Sequence, residues 1–448
     1  MNTAPAPVIS PQETYLSITR KVTGIILPKS RGWGWIIGFM LSLGLLGILG
    51  ISLFWLFYKG VGIWGINIPV GWGTAIINYV WWIEIAQGGT FISAVLLLFH
   101  QEWRTSVNRF TEAMTIFALA CAGLFPLLHL GRPQFAFFLA PYPNTLGMWP
   151  QFISPLVWDF FAVSVYGTVS VLFFYLGLVP DLATLRDSTD SKWLRPLYGV
   201  MCFGWRNSAR HWHHYETTYR VIAALAAPLV VSVHSIVGLD FAYTIVPGWH
   251  STISPPFFVV GAIFSGFGMV LTLIIPIRVI YGLQGVITLN HLNNMAKLLL
   301  TMGMFVLFGH LSEYFMAWYG GDIYEQYATV DEALGSYAVA FYISMGCTAL
   351  AIQPLWSSWV RRQPIILFFI SILVNIGMWA ERFLNIVSSL HRDFMPSAWR
   401  IYHTTIWDWS VYVGTFGLFL TLLFLFLRFL PLVSMNEVRG LIHDKRKA

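Results

Sequence analysis

The 448-residue chain is 57% hydrophobic and only 10% charged, with a formal net charge of +6. Soluble domains carry about 25% charged residues, so this composition excludes a water-soluble globular protein and points to an integral membrane protein. The positive surplus is no argument for nucleic acid. The three cysteines, Cys121, Cys202 and Cys347, form no CxxC and read as small packing residues, not as a metal, cluster or disulfide framework.

Residues 1–32 are polar and hold Arg20, Lys21, Lys29 and Arg31. They contain no short apolar core with a small-residue cleavage site, so no signal peptide is read. Thr14–Leu27 has the pattern of an interfacial amphipathic helix. Ten apolar runs long enough to cross a bilayer follow, near 33–57, 71–99, 110–130, 156–179, 217–240, 257–281, 293–319, 335–356, 364–390 and 408–431. The short alternating segments of a membrane β-barrel are absent, so the fold class is all-α. The expected organisation is a first helix (33–57), a four-helix bundle (71–240), a second four-helix bundle (257–390), and a last segment (391–448) with an outer loop, a final span and a basic tail.

Positive residues set the expected orientation. With the N-terminus in the cytoplasm, the inner segments hold Arg104, Arg109, Arg186, Lys192, Arg195, Arg206, Arg210, Arg220, Arg278, Lys297, Arg361, Arg362 and the tail DKRKA. The outer loops hold only Lys59, Arg132, Arg392 and Arg400, and one of them adds Asp322, Glu325, Asp331 and Glu332. This bias follows the positive-inside rule and places both termini inside.

Titratable residues inside spans are costly and therefore informative. Glu84, His234, Asp240, His310, Glu313, Glu381 and Arg382 fall within the runs; His129 and Asp159 stand at the two lips of one outer loop. The expectation is that these groups gather in the outer half and that the inner half holds far fewer. Plainer readings stand beside each: a structural ion pair for Glu381 or Arg382, which are adjacent and therefore expected to need separate partners; a helix contact for His310 and Glu313; a protonated packing residue for Glu84; a cap for His129; a first-turn dipole partner for Asp159. The run HWHHYE, with His211, His213, His214 and Glu216, reads as a solvated stretch at the inner surface rather than a metal site.

A histidine and a carboxylate at the mouth of an apolar cleft suit a quinol. Its ring and tail need an oily slot, and its two hydroxyls must each lose a proton as two electrons leave. Trp149, Phe152 and Trp158 could flank the ring, although interfacial anchoring is the first reading for any one of them. One haem between His129, His234 and His310 is not excluded. No span carries the stacked histidine pair that two haems need, and no CxxCH exists. Electrons would therefore leave to another subunit.

The stretches GVGIWGINIPVGWG, GGTFISAVLLLFHQEWR, AGLFPLLHLGRP, SPLVWD, SVHSIVGLDFA, NIGMWAERF and SLHRDFMPSAW together resemble NrfD/PsrC-type membrane subunits, most nearly the ActC-type quinol-binding subunit of bacterial alternative complex III. That resemblance implies ten helices with two four-helix bundles in a bacterial inner membrane. It implies a quinol (menaquinone or ubiquinone) bound near the periplasmic face, and no covalent cofactor. Its implied partners are a periplasmic iron–sulfur subunit, multihaem c-type cytochrome subunits and a second NrfD-like membrane subunit.

The resemblance marks His129 and Asp159 as the catalytic pair, with Asp240, Arg382 and Trp158 lining the quinol pocket. His391, Arg392 and Asp393 fall at the docking surface or proton exit. A proton path through Glu84, His234, His310, Glu313, Glu381, His391 and Asp393 is a separate expectation. The sequence departs from the family at Gln87, where relatives carry a histidine; Glu84 stands one turn earlier and is the candidate to replace it. Alternative readings are the membrane anchor of a polysulfide- or nitrite-type molybdenum reductase, a secondary transporter with helix breaks at Pro228 and Pro276, and a purely structural subunit.

Overall fold

A computed structural model of the chain describes residues 8–27, 32–131, 134–135, 155–393 and 395–447. Among the described residues there are helices and no strands, and ten helices are long and apolar enough to span a membrane. A short helix α1 (Tyr15–Ile26) comes first, capped by Thr14. The spans are α2 (Trp33–Lys59), α3 (Gly73–Leu98), α4 (Asn108–His129), α5 (Pro155–Ser188), α6 (Ala209–Ala242), α7 (Ser254–Ile280) and α8 (Leu289–Gly320). A short α9 (Ile323–Leu334) leads to the spans α10 (Ala338–Trp356), α11 (Pro364–Ser388) and α12 (Ile406–Phe429), and α13 (Met435–Lys447) ends the chain. Each span lies on one of the apolar runs read from the sequence.

The end of the molecule that holds His129 and Asp159 is called the outer end, following the charge reading. An even number of crossings returns the chain to its starting side. The Tyr15 hydroxyl lies 3.2 Å from His443 Nδ1, which brings both chain ends together at the inner end. The α1 helix lays Ile18, Val22 and Ile26, four residues apart, against α12 and α13. Helices α5 and α6 have 34 residues each, or about 51 Å of rise against a hydrocarbon core of about 30 Å. The extra turns of α6 carry His211, His213 and His214, and no metal-holding cluster of acidic residues, histidines or cysteines occurs among the described residues.

Helices α3 and α7 are the most buried spans, whereas α2 is the most exposed. No face of α3 is set apart as polar, and nearly all its residues are buried, as in a helix surrounded by protein; its polar side chains, Asn78, Glu84 and Gln87 among them, point into the protein. Its neighbours are α4, α6, α7 and α11; α4 packs on α5, α5 on α6, α6 on α7, and α7 also on α8 and α11. Lipid offers apolar side chains no reason to leave it, so close backbone approach by small residues drives such contacts. Gly88 of α3 and Gly266 of α7 touch through their Cα atoms, and a Cβ on either would meet the other backbone. Gly414 and Gly417 do the same for α12 against α2. Three spans carry a single π turn, at Phe91–Val95, Gly346–Leu350 and Leu384–Ser388.

The α3–α7 contact yields a direct test. Gly88→Val should lower the melting temperature of the detergent-solubilised protein or abolish its accumulation, read by fluorescence size-exclusion. Gly47→Val, at a position with nothing within 4 Å of a new Cβ, should leave both unchanged. Equal behaviour of the two variants would contradict the packing argument.

Candidate functional site

At the outer end, the second turn of α5 presents Asp159 to the core. The Tyr79 hydroxyl of α3 donates to Asp159 Oδ2 at 2.6 Å. Asp240, in the last turn of α6, lies in the electrostatic field of both groups. Asp159 Oδ1 and Asp240 Oδ1 are buried without a protein partner. His129 ends α4, which packs on α3; it is half-buried and makes no ion pair with Asp159. Trp158 meets Tyr243 edge-on at 6.2 Å, and Trp72, Phe241 and Trp249 form an aromatic cluster beside α3 and α6. Trp149 and Phe152 lie outside the described residues.

A second cluster sits deeper. Glu84 is five residues beyond Tyr79 and His234 six before Asp240, which places both about 8–9 Å further in. The guanidinium of Arg382, fully buried, has Nε 2.7 Å from Glu84 Oε1 and 2.7 Å from Glu381 Oε2. Its Cζ stands 3.9 Å over the Phe258 ring, a cation–π contact in a desolvated setting. Gly261 leaves it room, since a Cβ there would be 3.1 Å from Nη2. His234 and His310 lie in its field, with both nitrogens of His234 and Nε2 of His310 unpartnered. The side chain of Gln87 is buried and likewise unpartnered.

Two expectations change here. Glu381 and Arg382 need no separate partners, because the long arginine side chain folds back onto its neighbour while also reaching Glu84. Arg382 belongs to this deeper cluster, not to the one holding Asp159 and Asp240.

From Arg382 the polar groups continue outward. A cavity of about 430 Å³ between α8, α9 and the loop before α7 is lined by Glu313, Glu325, Glu332, Asp322 and His250. Ser388 donates to Glu332 Oε1 at 3.0 Å, and the Gly248 amide donates to Glu325 at 3.0 Å. His391 Nε2 is 3.1 Å from Asp331, which also takes Arg392 Nη1 at 2.6 Å. Asp393 accepts from the Met395 amide at 2.9 Å and serves a turn.

A protein-family model described as "Polysulphide reductase, NrfD" matches residues 65–392, nearly three quarters of the chain. The chain belongs to the NrfD family. A Halobacterium salinarum protein, named provisionally as a membrane component of a dimethyl sulfoxide reductase, is 28% identical over 243 residues. That match covers 52% of this chain and 51% of the relative. A selenate reductase component from Mesobacillus selenatarsenatis is 21% identical over 427 residues, 90% of this chain and 96% of the relative.

This NrfD-family chain also holds a third cluster, at the inner end, where few titratable groups were expected. Arg109, counted as an inner-loop charge, is fully buried in the first turn of α4. It pairs with Glu112 at 2.8 Å and with Asp181 of α5 at 3.7 Å. Tyr219 of α6 donates to Glu112 at 2.8 Å. Arg104 and Asn108 bind Glu437 of α13 at 2.7 and 2.9 Å, and Asn436 donates to Asp181 at 2.8 Å. The sequence clue was available: Arg109 and Glu112 are three apart at a helix start, and Asp181 follows Pro180 directly past the end of the 156–179 apolar run. Tyr79 gave no such clue, since it sits among the aromatics of NYVWW.

The α9 carboxylate gives a pH test. Burial pushes Glu332 up to about 7; the Ser388 bond opposes this and Glu381, Asp331 and Glu325 add to it. Between about pH 4.3 and 7 the folded chain holds a proton that the unfolded chain has released, so this group's contribution falls as pH rises through that window. Glu332→Gln should melt with wild type at pH 4 and about 2 °C or more above it at pH 8. Parallel melting curves at both pH values would contradict the assignment.

Proposed function

We propose that the chain is the quinol-oxidising membrane subunit of a reductase complex. It takes quinol from the bilayer at its outer end, accepts the protons and hands two electrons to a peripheral iron–sulfur subunit. The observation that carries this reading is the Tyr79–Asp159 hydrogen bond beside Asp240. It fixes one carboxylate oxygen and leaves the other, Oδ1, buried and free to meet a quinol hydroxyl.

Quinol oxidation releases two protons and two electrons. Asp159 Oδ1 accepts one proton, while Tyr79 holds the carboxylate in place from the opposite oxygen. Asp240 is the next carboxylate to take that proton on. His129, half-buried at the end of α4, accepts the second. Trp158 stands beside Asp159 as one wall for the ring. No redox group of this chain is needed, because the electrons pass directly to the partner. The bacterial inner membrane, with both termini in the cytoplasm, is the setting this reading requires. Menaquinone and ubiquinone satisfy the same chemistry.

The names of the relatives, a dimethyl sulfoxide reductase and a selenate reductase, favour assembly with a molybdenum-type catalytic subunit. A second reading, alternative complex III, is supported by the quoted motifs from GVGIWGINIPVGWG to SLHRDFMPSAW. It would add multihaem cytochromes and a second NrfD-like subunit. The transporter reading lacks support: Pro228 and Pro276 fall in α6 and α7, and the corresponding helices of the other four-helix set carry no interior proline among the described residues.

In the assembled complex, Asp159→Asn should lower quinol oxidation by about 10²-fold or more. Tyr79→Phe should lower it by roughly tenfold, the loss of one good hydrogen bond to a charged group. Wild-type turnover in Asp159→Asn, with the complex intact, would refute the site.

The Glu84–Arg382–Glu381 cluster, with His234, His310 and Glu313 leading to the acidic cavity, supports a proton path separate from quinol chemistry. On vesicles holding the complex, wild type should then release more than one proton per electron, and Glu84→Gln should fall to one. An unchanged ratio in the variant would exclude Glu84 from the path.

A further inference from the structure

A cavity of about 850 Å³ opens at the inner end between α1, α2, α7 and α12, far from the quinol reading. Its two long walls are apolar: Leu273 and Pro276 on α7, Leu420 and Phe424 on α12. At its rim stand Arg428 on α12 and Tyr281 just past α7. Leu420 precedes Arg428 by eight residues, and Leu273 precedes Tyr281 by eight. Both walls therefore run about 12 Å from the polar rim into the hydrocarbon.

The rim carries an unanswered charge. Arg428 gives Nη1 to the Ile26 carbonyl, while its Nε is buried with no partner. No carboxylate pairs with it among the described residues. Three of the four buried arginines among the described residues, Arg104, Arg109 and Arg382, each have one, and the fourth, Arg278, gives its Nε to the Ile287 carbonyl. A guanidinium above an apolar slot, at the level of the headgroups, is complementary to a molecule with an anionic head and an oily tail. We propose that this slot binds one anionic phospholipid of the inner leaflet, its phosphate at Arg428 and Tyr281 and an acyl chain between α7 and α12. A quinone would use the walls but leave the charge unmet.

The test is native mass spectrometry of the complex, released from nanodiscs of phosphatidylcholine with or without phosphatidylglycerol of the same acyl chains. Wild type should retain one phosphatidylglycerol and exclude phosphatidylcholine by at least tenfold. Arg428→Gln should lower that retention about tenfold, Arg428→Lys should keep most of it, and Leu273→Trp, which fills the slot, should remove it with the arginine in place. Equal retention of the two lipids by wild type overturns the proposal without any variant. Undiminished retention in Arg428→Gln or Leu273→Trp, or quinone retained in place of phospholipid, overturns it as well.

Discussion

A guanidinium placed between helices in hydrocarbon must be met by carboxylates, and Arg382 imposes that condition on the fold. Leaving one member of such a buried pair unmatched costs about 3–5 kcal/mol. Glu84 of α3 and Glu381 of α11 meet it at 2.7 Å each, with the Phe258 ring of α7 beneath the charge. Three spans are thereby fixed around one cation. The glycine contact between α3 and α7 lies one turn further in and holds the same helices at backbone distance.

Helix α3 consequently orders the polar groups by depth. Tyr79 holds Asp159 at the outer end, Glu84 holds Arg382 below it, and Gln87 and Gly88 follow. Asp240 joins the first level; around the second gather His234, His310 and the groups leading to the acidic cavity. The inner cluster of Arg109, Glu112, Asp181 and Tyr219 is built on α4, α5 and α6 and closed by Glu437 and Asn436 of the last helix. A chain with so few charges thus places many of them in three buried groups, each with both signs or a hydrogen-bonding tyrosine.

The ten spans were legible because hydrocarbon imposes a length and a composition that any run of residues displays. The depth of Glu84, His234 and Asp240 was legible for the same reason. Pairing was not. Arg382 finds Glu84 across nearly 300 residues, and Tyr79 finds Asp159 across 80, and no spacing rule encodes either. Counting Arg109 among loop charges failed because a helix start at Asn108 looks like a loop end until Glu112 and Asp181 are seen to surround it. The adjacency of Glu381 and Arg382 misled for a related reason: side-chain length, not helix phase, decided the contact. Most of the loop between His129 and Asp159, including Trp149 and Phe152, lies outside the described residues, so the aromatic wall read there remains an expectation.

On the proposed function, the free oxygen of Asp159 meets a quinol hydroxyl at the outer end of α3 and α5. A density map of the purified complex with a bound quinol analogue tests it most directly. The analogue's ring should lie beside Trp158, with one ring oxygen within hydrogen-bond reach of Asp159 Oδ1 and the other facing His129. A ring bound elsewhere on this chain, or held wholly by another subunit, would contradict it.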